Sequence, residues 1–447
     1  MNLDEKIRKV SIVGAAGKMG SGIALLLADQ MAKEKLNPKN KDLAYRLNLI
    51  DVNDDALDGL VKYLKTQLVK AGEKSAVVLR ELYKDRLDLI ENFDIVNQFV
   101  EDAASLVRCS TDLNLAKGST MVFEAVLEDK DLKVDLLKKL DKICGKDVVY
   151  LTNTSSIPIH ILNKEANLDG RIIGFHFYNP PAVQRLAELI CAKETKPELK
   201  DLALELAKRL RKKTVPSNDI AGFIGNGHFL RDGLYGIREA KRLSKELGLA
   251  GGIYAVNKVS QDLLVRPMGI FQLIDYVGVD VFHCISETVS QYLKGEDLKD
   301  DLLAKMVQKK VLGGQRSDGT QKDGFLKYEK NRPVGVYDIE KGEYKMFDSN
   351  AWAKEIDKKL GDYPQGFFAW KALLVDPKKD EKLSTYFKNL NSSSSLGAKL
   401  ASSYLKNSKE IGKKLVGGGV AASEKDVNDV LLNGFYHLYG PINDYVK

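Results

Sequence analysis

A histidine and a glutamate twelve residues apart, each inside an apolar run, are the residues of this chain best suited to proton chemistry. His176 stands in Gly174-Phe175-His176-Phe177-Tyr178-Asn179-Pro180-Pro181, and Glu188 stands in Leu186-Ala187-Glu188-Leu189-Ile190. If adjacent strands carry them, the carboxylate fixes the imidazole tautomer and stabilises the imidazolium formed when the ring accepts a proton. The same residues also suit a half-buried histidine hydrogen-bonded within a sheet. Only five histidines occur in 447 residues, and the company this one keeps decides between the two readings.

The elements that would position the pair alternate between strand and helix. Lys9 to Val13, Arg46 to Asp51, Met121 to Ala125, Val148 to Thr152, Ile172 to Tyr178 and Leu186 to Ile190 are apolar or β-branched runs of strand length. A helix with Ile23, Leu26 and Leu27 follows the first. A charged, mostly helical stretch from about Asp54 to Phe99 follows the second, and Leu132 to Ile143 sets Val134, Leu137, Leu140 and Ile143 on one helical face. This alternation, sustained to about residue 215, predicts an α/β fold with a doubly wound, Rossmann-like, mostly parallel sheet.

The texture then changes to helical periodicity, from Ile220 to about Val311. A glycine-rich tract, Gly313-Gly314-Gln315-Arg316-Ser317-Asp318-Gly319, leads to Asp323-Gly324-Phe325-Leu326-Lys327-Tyr328. Val334–Tyr337 and Tyr344–Phe347 predict a small strand pair, and past Asn350 the chain is helical again, with 391–395 as a helix-to-helix loop. Val256-Asn257-Lys258-Val259, Pro267-Met268-Gly269 and Asp275-Tyr276-Val277 recur as Val427-Asn428-Asp429-Val430, Tyr439-Gly440-Pro441 and Asp444-Tyr445-Val446. The valine-to-glycine interval is the same in both, which predicts a duplicated all-α domain whose second copy runs to the chain end. The expected divisions are 1–216, 217–330, a linker 331–350, and 351–447.

Between the first strand and first helix lies Gly14-Ala15-Ala16-Gly17-Lys18-Met19-Gly20. Backbone amides and a helix N-terminus at that point can hold a pyrophosphate, and glycines permit the close approach. The spacing is Gly-x-x-Gly-x-x-Gly, one residue longer in the turn than the usual Gly-x-Gly-x-x-Gly. Asp51 closes the second strand, where a carboxylate accepts from ribose hydroxyls and repels a 2′-phosphate, so NAD is favoured over NADP. It lies further from the glycines than usual, and Lys33 to Lys41 reads as an inserted loop that accounts for the distance.

The net charge of +7 is small for this length and the charged residues mix both signs, which argues against nucleic-acid binding. Cys109, Cys144, Cys191 and Cys284 show no metal-ligand spacing and read as reduced core thiols. No apolar run is long enough to cross a bilayer, the N-terminus reads as neither signal nor transit peptide, and the last residues are not a peroxisomal address. The expectation is a cytoplasmic protein with no bound metal.

Thr152-Asn153-Thr154-Ser155-Ser156, the His176 and Glu188 segments, and Ala221-Gly222-Phe223-Ile224-Gly225-Asn226 follow in an order and spacing that resembles the 3-hydroxyacyl-CoA dehydrogenase family. The resemblance runs from about residue 8 to residue 330. It takes in Met121 to Glu128, Arg266-Pro267-Met268-Gly269, Asp275 to Gly278 and Gly324 to Tyr328. It implies His176 as general base, Glu188 as its orienting partner, and Ser155 and Asn226 as the groups holding the substrate's 3-oxygen. Ser155 precedes His176 by twenty-one residues and Asn226 follows Glu188 by thirty-eight; Ser156 fits that spacing less well. The resemblance further implies Gly14, Gly17, Lys18, Met19, Gly20 and Asp51 on the cofactor, Glu124, Asn153 and Asn179 near its nicotinamide half, and Lys133 near its pocket.

The activity so implied is reversible NAD-dependent oxidation of an (S)-3-hydroxyacyl-CoA to the 3-ketoacyl-CoA, as in fatty-acid β-oxidation. Lysines of the Lys62–Lys74 stretch are candidates for CoA phosphate contacts, although such a helix face is commonly just solvated. A dehydrogenase of a hydroxy acid without CoA would use the same pair, and a catalytically silent NAD-binding protein would have lost one of Ser155, His176, Glu188 or Asn226. Single-copy relatives use the helical domain to pair subunits; two copies in one chain predict a monomer or weak dimer. If Asp51 reads the ribose, Asp51→Ala should weaken NAD about 10- to 100-fold and NADP far less. Fluorescence titration with both nucleotides checks this, and equal losses would remove the assignment.

Overall fold

A computed structural model describes residues 1–316 and 319–446; Ser317 and Asp318 of the glycine-rich tract, and Lys447, lie outside the described residues. The chain forms two compact units, Met1–Asp219 and Ile220–Lys447.

The first unit is built on β1 (Lys9–Val13), β2 (Arg46–Ile50), β3 (Val107–Ser110), β4 (Met121–Glu124), β5 (Val149–Thr152), β6 (Ile172–Phe177), β7 (Leu186–Cys191) and β8 (Lys213–Asn218). Their order is β3-β2-β1-β4-β5-β6-β7-β8. All neighbours are parallel except β6 and β7. The apolar runs become the central strands because helices cover both faces, so every residue of β4 and of β6 is buried. β3 and β8 carry no such run and were not expected. Val-Arg-Cys-Ser is a half-wet edge that leaves Cys109 exposed, as Cys284 is in the second unit, so neither is the core thiol expected. Lys-Thr-Val-Pro-Ser-Asn alternates exposed and buried residues with a proline that an edge strand tolerates.

The stretch expected as mostly helical from Asp54 to Phe99 is three helices, Asp54–Lys74, Ala76–Leu82 and Asn92–Ser105. Leu57, Leu60, Leu64 and Leu68 form the buried stripe of the first, whose Asn53 N-cap accepts from the Ala56 amide. Lys33 to Lys41 is not an inserted loop throughout. The helix Lys18–Leu36 continues through its first four residues, and a 3₁₀ turn occupies Pro38–Asn40. Proline at that turn's first position starts the new element there.

The second unit is helical around one core. Helix Gly225–Lys258 breaks at Gly248 (φ 69°) and continues into a π-helical turn, Val259–Leu263. Helices Ile270–Val277, Val279–Tyr292 and Asp301–Gln308 follow. The expected strand pair is a three-stranded antiparallel meander of β9 (Leu326–Glu329), β10 (Arg332–Asp338) and β11 (Glu343–Met346), so this half is not purely α. Asp275, fully buried, ties the meander to its helix by accepting from the Phe325 and Leu326 amides and the Tyr328 hydroxyl at 2.7, 2.8 and 2.9 Å. Gly324 is needed there, since a Cβ would lie 2.2 Å from Asp275 Oδ1.

Helices Trp352–Leu360, Lys379–Ser392, Leu396–Gly417 and Glu424–Gly434 complete the unit. Their Phe387, Tyr404 and Leu405 share one hydrophobic cluster with Phe271, Ile274 and Phe282. The sequence repeat has a structural counterpart. Asn257 Oδ1 accepts from the Gln272 amide and Asn428 Oδ1 from the Ile442 amide, both at 3.0 Å. A Cβ on Gly269 would lie 2.3 Å from Asn257 Oδ1, and one on Gly440 2.1 Å from Asn428 Cγ. The likeness ends at the aspartates, because Asp275 is buried and Asp444 exposed.

Candidate active site

β6 and β7 pair His176 directly opposite Glu188. Opposed residues of antiparallel strands share a face, and His176 Nδ1 lies 3.1 Å from Glu188 Oε2. Glu188 is fully buried and His176 is 7% exposed. The strand period of two brings Tyr178 to the same face. Its hydroxyl donates to that same Oε2 at 2.7 Å, and its ring centroid lies 4.9 Å from the imidazole's. Burial, reinforced by Glu188, holds the Tyr178 hydroxyl well above its usual pKa, so it remains a protonated donor. A carboxylate accepting at Nδ1 puts the ring proton there, so that Nε2 is the nitrogen at which the ring would take a second proton.

A second histidine–carboxylate contact exists in this unit, His160 Nδ1 to Asp219 Oδ2 at 2.7 Å. Asp219 also accepts the amides of Ile159 and His160. Its carboxylate thus meets the first amides of the helix Ile159–Ala166, whose N-cap residue is Pro158, and the His160 side chain is half exposed. That contact starts a helix.

Ser155 lies in the turn after β5, one strand from His176. The turn is held by Glu128, whose Oε1 accepts the Ser155 and Ser156 amides, each at 2.8 Å, and the Thr154 hydroxyl at 2.6 Å. Ser155 Oγ is 3.4 Å from the same oxygen. Ser155 is half-buried and Ser156 fully buried, which leaves Ser155 the more accessible hydroxyl. Asn153 joins this turn to β6, its Oδ1 accepting from the Phe177 amide at 2.9 Å. Asn179 is half-buried and precedes Pro180 through a cis peptide. Asn226, half-buried, is the second residue of helix Gly225–Lys258 and belongs to the second unit.

Glu124 and Lys133, expected beside the cofactor, hold one another. Lys133 Nζ, on a side chain 1% exposed, lies 2.7 Å from Glu124 Oε1 and 3.4 Å from Glu128 Oε2. Glu124 also accepts from the Val126 amide at 2.8 Å and the Thr152 hydroxyl at 2.5 Å. Burial opposes the charge on Lys133, but the two glutamates outweigh it and raise its pKa. Burial likewise opposes the charge on Glu128, and Lys133, the Thr154 hydroxyl and the two serine amides outweigh it and lower its pKa. Glu128 is the supporting residue that sequence reasoning missed, together with Tyr178. Its signal was an acid directly before the Asp129 helix cap, and that of Tyr178 was its place two residues along from His176.

The glycine turn accommodates its additional residue by closing on itself, with the Gly17 amide donating to Gly14 O at 3.2 Å. Gly14 has φ 80°, and a Cβ there would lie 2.6 Å from Ala125 O; a Cβ on Gly20 would lie 2.0 Å from Gly14 O. Gly17 is the exposed N-cap of Lys18–Leu36 and caps it with no side chain, so the first-turn amides of Met19 and Gly20 suit an anion. Lys18 is exposed and Met19 half-buried. Asp51 Oδ2 accepts from the Ala16 amide at 2.9 Å, tying the acid to the turn. Val52 and Leu127, just past β2 and β4 on either side of β1, are 95% and 78% exposed. Two bare apolar side chains flanking the turn suit the faces of a planar base, and an apolar residue directly after Asp51 was their signal. These residues fit a dinucleotide. Lys62, Lys65, Lys70 and Lys74 lie exposed on helix Asp54–Lys74, with Lys65 paired to Glu101 at 3.1 Å.

Residues 9–220 match the model of the 3-hydroxyacyl-CoA dehydrogenase NAD binding domain, and residues 249–323 that of the 3-hydroxyacyl-CoA dehydrogenase C-terminal domain. A probable 3-hydroxybutyryl-CoA dehydrogenase of Deinococcus radiodurans is 32% identical over 229 residues, 51% of this chain and 78% of the relative. The chain belongs to the 3-hydroxyacyl-CoA dehydrogenase family. It is accordingly an oxidoreductase with NAD as cofactor.

A probable 3-hydroxybutyryl-CoA dehydrogenase of Bacillus subtilis is 28% identical over 328 residues, 72% of this chain and 98% of the relative. The chain also matches multifunctional fatty-acid β-oxidation proteins, of whose length it spans 39–43%. A solved 3-hydroxybutyryl-CoA dehydrogenase of Escherichia coli shares the fold over 97% of this chain and 90% of its own, with TM-score 0.64 and 21% identity. Among the described residues, no helix is long and apolar enough to cross a membrane.

The buried ion network in this family member yields a stability prediction. Lys133→Met leaves two carboxylates without their cation in a dry site and should cost about 3–5 kcal/mol. Urea unfolding of the variant against the parent reads this directly, and a loss under about 1 kcal/mol would mean that the site is wetter than its burial indicates.

Proposed function

We propose that this chain catalyses the reversible oxidation of (S)-3-hydroxyacyl-CoA to 3-ketoacyl-CoA, as in fatty-acid β-oxidation. The observation that supports it best is the His176–Glu188 pair, in which the carboxylate at Nδ1 makes Nε2 the nitrogen that would take the substrate's proton. Bound NAD supplies the hydride acceptor. The protein's share is the proton and the geometry. His176 Nε2 takes the hydroxyl proton as the carbon–oxygen bond becomes a carbonyl, and Glu188 stabilises the resulting imidazolium. Ser155 Oγ, on a turn clamped by Glu128, donates to the oxygen in either oxidation state, a role that the family resemblance also gives to the Asn226 amide. Gly14, Gly17, Lys18, Met19 and Gly20 hold the pyrophosphate, Asp51 the adenosine ribose, and Val52 and Leu127 the adenine. Asn153 and Asn179 lie toward the nicotinamide, with Glu124 and Lys133 behind them as the support of that wall.

The CoA thioester is the substrate class indicated by relatives named 3-hydroxybutyryl-CoA dehydrogenase. A direct test follows NADH consumption with acetoacetyl-CoA and longer 3-ketoacyl-CoAs against free keto acids. The thioesters should turn over and the free acids should not; activity on the free acids alone would overturn the reading. His176→Gln should lower the rate on the order of 10²–10⁴-fold while NAD still binds.

The chain also serves, in this reading, as its own helical-domain partner, with residues 351–447 as a degenerate second copy. The paired Asn257–Gly269 and Asn428–Gly440 contacts support this. The expected state is a monomer or weak dimer, and light scattering across a concentration series that shows a tight dimer would contradict it.

A further inference from the structure

The His176–Glu188 contact has a third member that a general-base pair does not require. Tyr178 donates to Glu188 Oε2 at 2.7 Å, a shorter approach than the 3.1 Å from His176 Nδ1 to the same oxygen. Tyr178 is 9% exposed, Glu188 is fully buried, and the Tyr178 and His176 rings lie 4.9 Å apart. Two donors on one oxygen compete for its charge. A carboxylate lone pair already polarised by a phenol offers less negative potential to a neighbouring imidazolium.

We propose that Tyr178 is a positioning residue that fixes Glu188 Oε2 toward His176 and limits how strongly that carboxylate holds the ring's acquired proton. The inference rests on His176 being the base. It concerns how that base is set, since a base that keeps its proton too firmly cannot return it in the reverse direction.

Several other charged groups on the elements around this face have their own partners. On helix Ile159–Ala166, His160 bonds Asp219, and Glu165 pairs with Lys130. In the turn after β4, Glu128 bonds the Thr154–Ser156 segment and Lys133. Lys212, leading into β8, bonds the Pro181 and Gln184 carbonyls and lies 5.9 Å from the Phe177 ring centroid. Lys213 opens β8 opposite Leu186 and is exposed. Removing the Tyr178 hydroxyl leaves all of these in place.

The sign follows from the competition. Without the hydroxyl, one competitor for the Glu188 charge is gone, more of that charge acts on the imidazolium, and the base should hold its proton to a higher pH. In the oxidative direction only the unprotonated base is competent, so the acidic limb of kcat/KM should move upward. For Tyr178→Phe the expected shift is roughly 0.5–1 pH unit, with KM for the acyl-CoA and Kd for NAD within about twofold of the parent. Replacing Tyr178 by 3-fluorotyrosine strengthens the donor and should move the limb the other way.

Both pH profiles are measured on the full chain, with NAD titration confirming the fold. Opposite shifts support the proposal. An unmoved limb in both proteins, or a pH-independent loss of kcat alone, overturns it and assigns Tyr178 to packing. If His176→Gln retains activity, the base assignment itself fails, an outcome distinct from either result at Tyr178.

Discussion

The arrangement of the first unit's candidate site depends on a lysine that water does not reach. An ammonium in a dry interior is tolerable only when carboxylates surround it, and Lys133 has Glu124 on one side and Glu128 on the other. Those contacts fix more than charge. Glu124 is the last residue of β4 and also binds Thr152 at the end of β5, so two strand ends are joined through one carboxylate. Glu128 turns its other oxygen to three donors of the Thr154–Ser156 segment. Ser155 is therefore held by backbone bonds to a carboxylate that is itself held by the lysine. Replacing Lys133 would leave both carboxylates without their cation, so the three acts of charge neutralisation, strand joining and turn clamping stand together.

The second constraint is the reversal of β7. Strands β1, β4, β5 and β6 are parallel, and their C-terminal ends bring the glycine turn, the Glu128 turn and His176 to one edge of the sheet. A parallel β7 would need a long crossover before it could present a side chain beside His176. The eight residues between β6 and β7 make the return short, and antiparallel pairing then sets Glu188 straight across from His176. That register, and the two-residue period that adds Tyr178, follow from strand geometry alone.

What the sequence disclosed and what it hid divide along the same physical line. Strands buried on both faces are apolar runs, and six of the eight could be read that way. β3 and β8 are edge strands whose residues face water, so no apolar pattern marks them. The glycines, Asp51 and the His176–Glu188 pair were legible because backbone approach and proton transfer demand particular residue types. Glu128 and Lys133 were harder, since a charged residue near a helix start usually reads as a solvated cap, and only burial reveals the network. Lys33 to Lys41 misled for a related reason. Its lysines looked like loop, yet Lys33 is anchored within the helix by Asp29 at 2.7 Å.

In the second unit, the later helices satisfy polar groups that the earlier ones leave open. The π-helical turn Val259–Leu263 departs from the regular bonding ladder, and the carbonyls of Leu263 and Leu264 at its end accept instead from the Tyr386 and Tyr439 hydroxyls at 3.0 and 2.7 Å. Arg266, 5% exposed, pairs with Asp232 at 2.8 Å and reaches Ser408 at 3.2 Å. Tyr404 donates to the Asp232 carbonyl at 2.9 Å and lies under the Arg266 guanidinium. An ion pair taken out of water costs more than its Coulomb attraction returns unless its remaining donors and acceptors are met. Here residues 404 and 408 meet part of that demand from the far end of the chain. The later helices, which lie beyond the matched C-terminal domain, thus supply part of the hydrogen bonding of the Asp232–Arg266 pair. The tyrosines and the serine of residues 386–439 hold polar groups of residues 232–266 in one core.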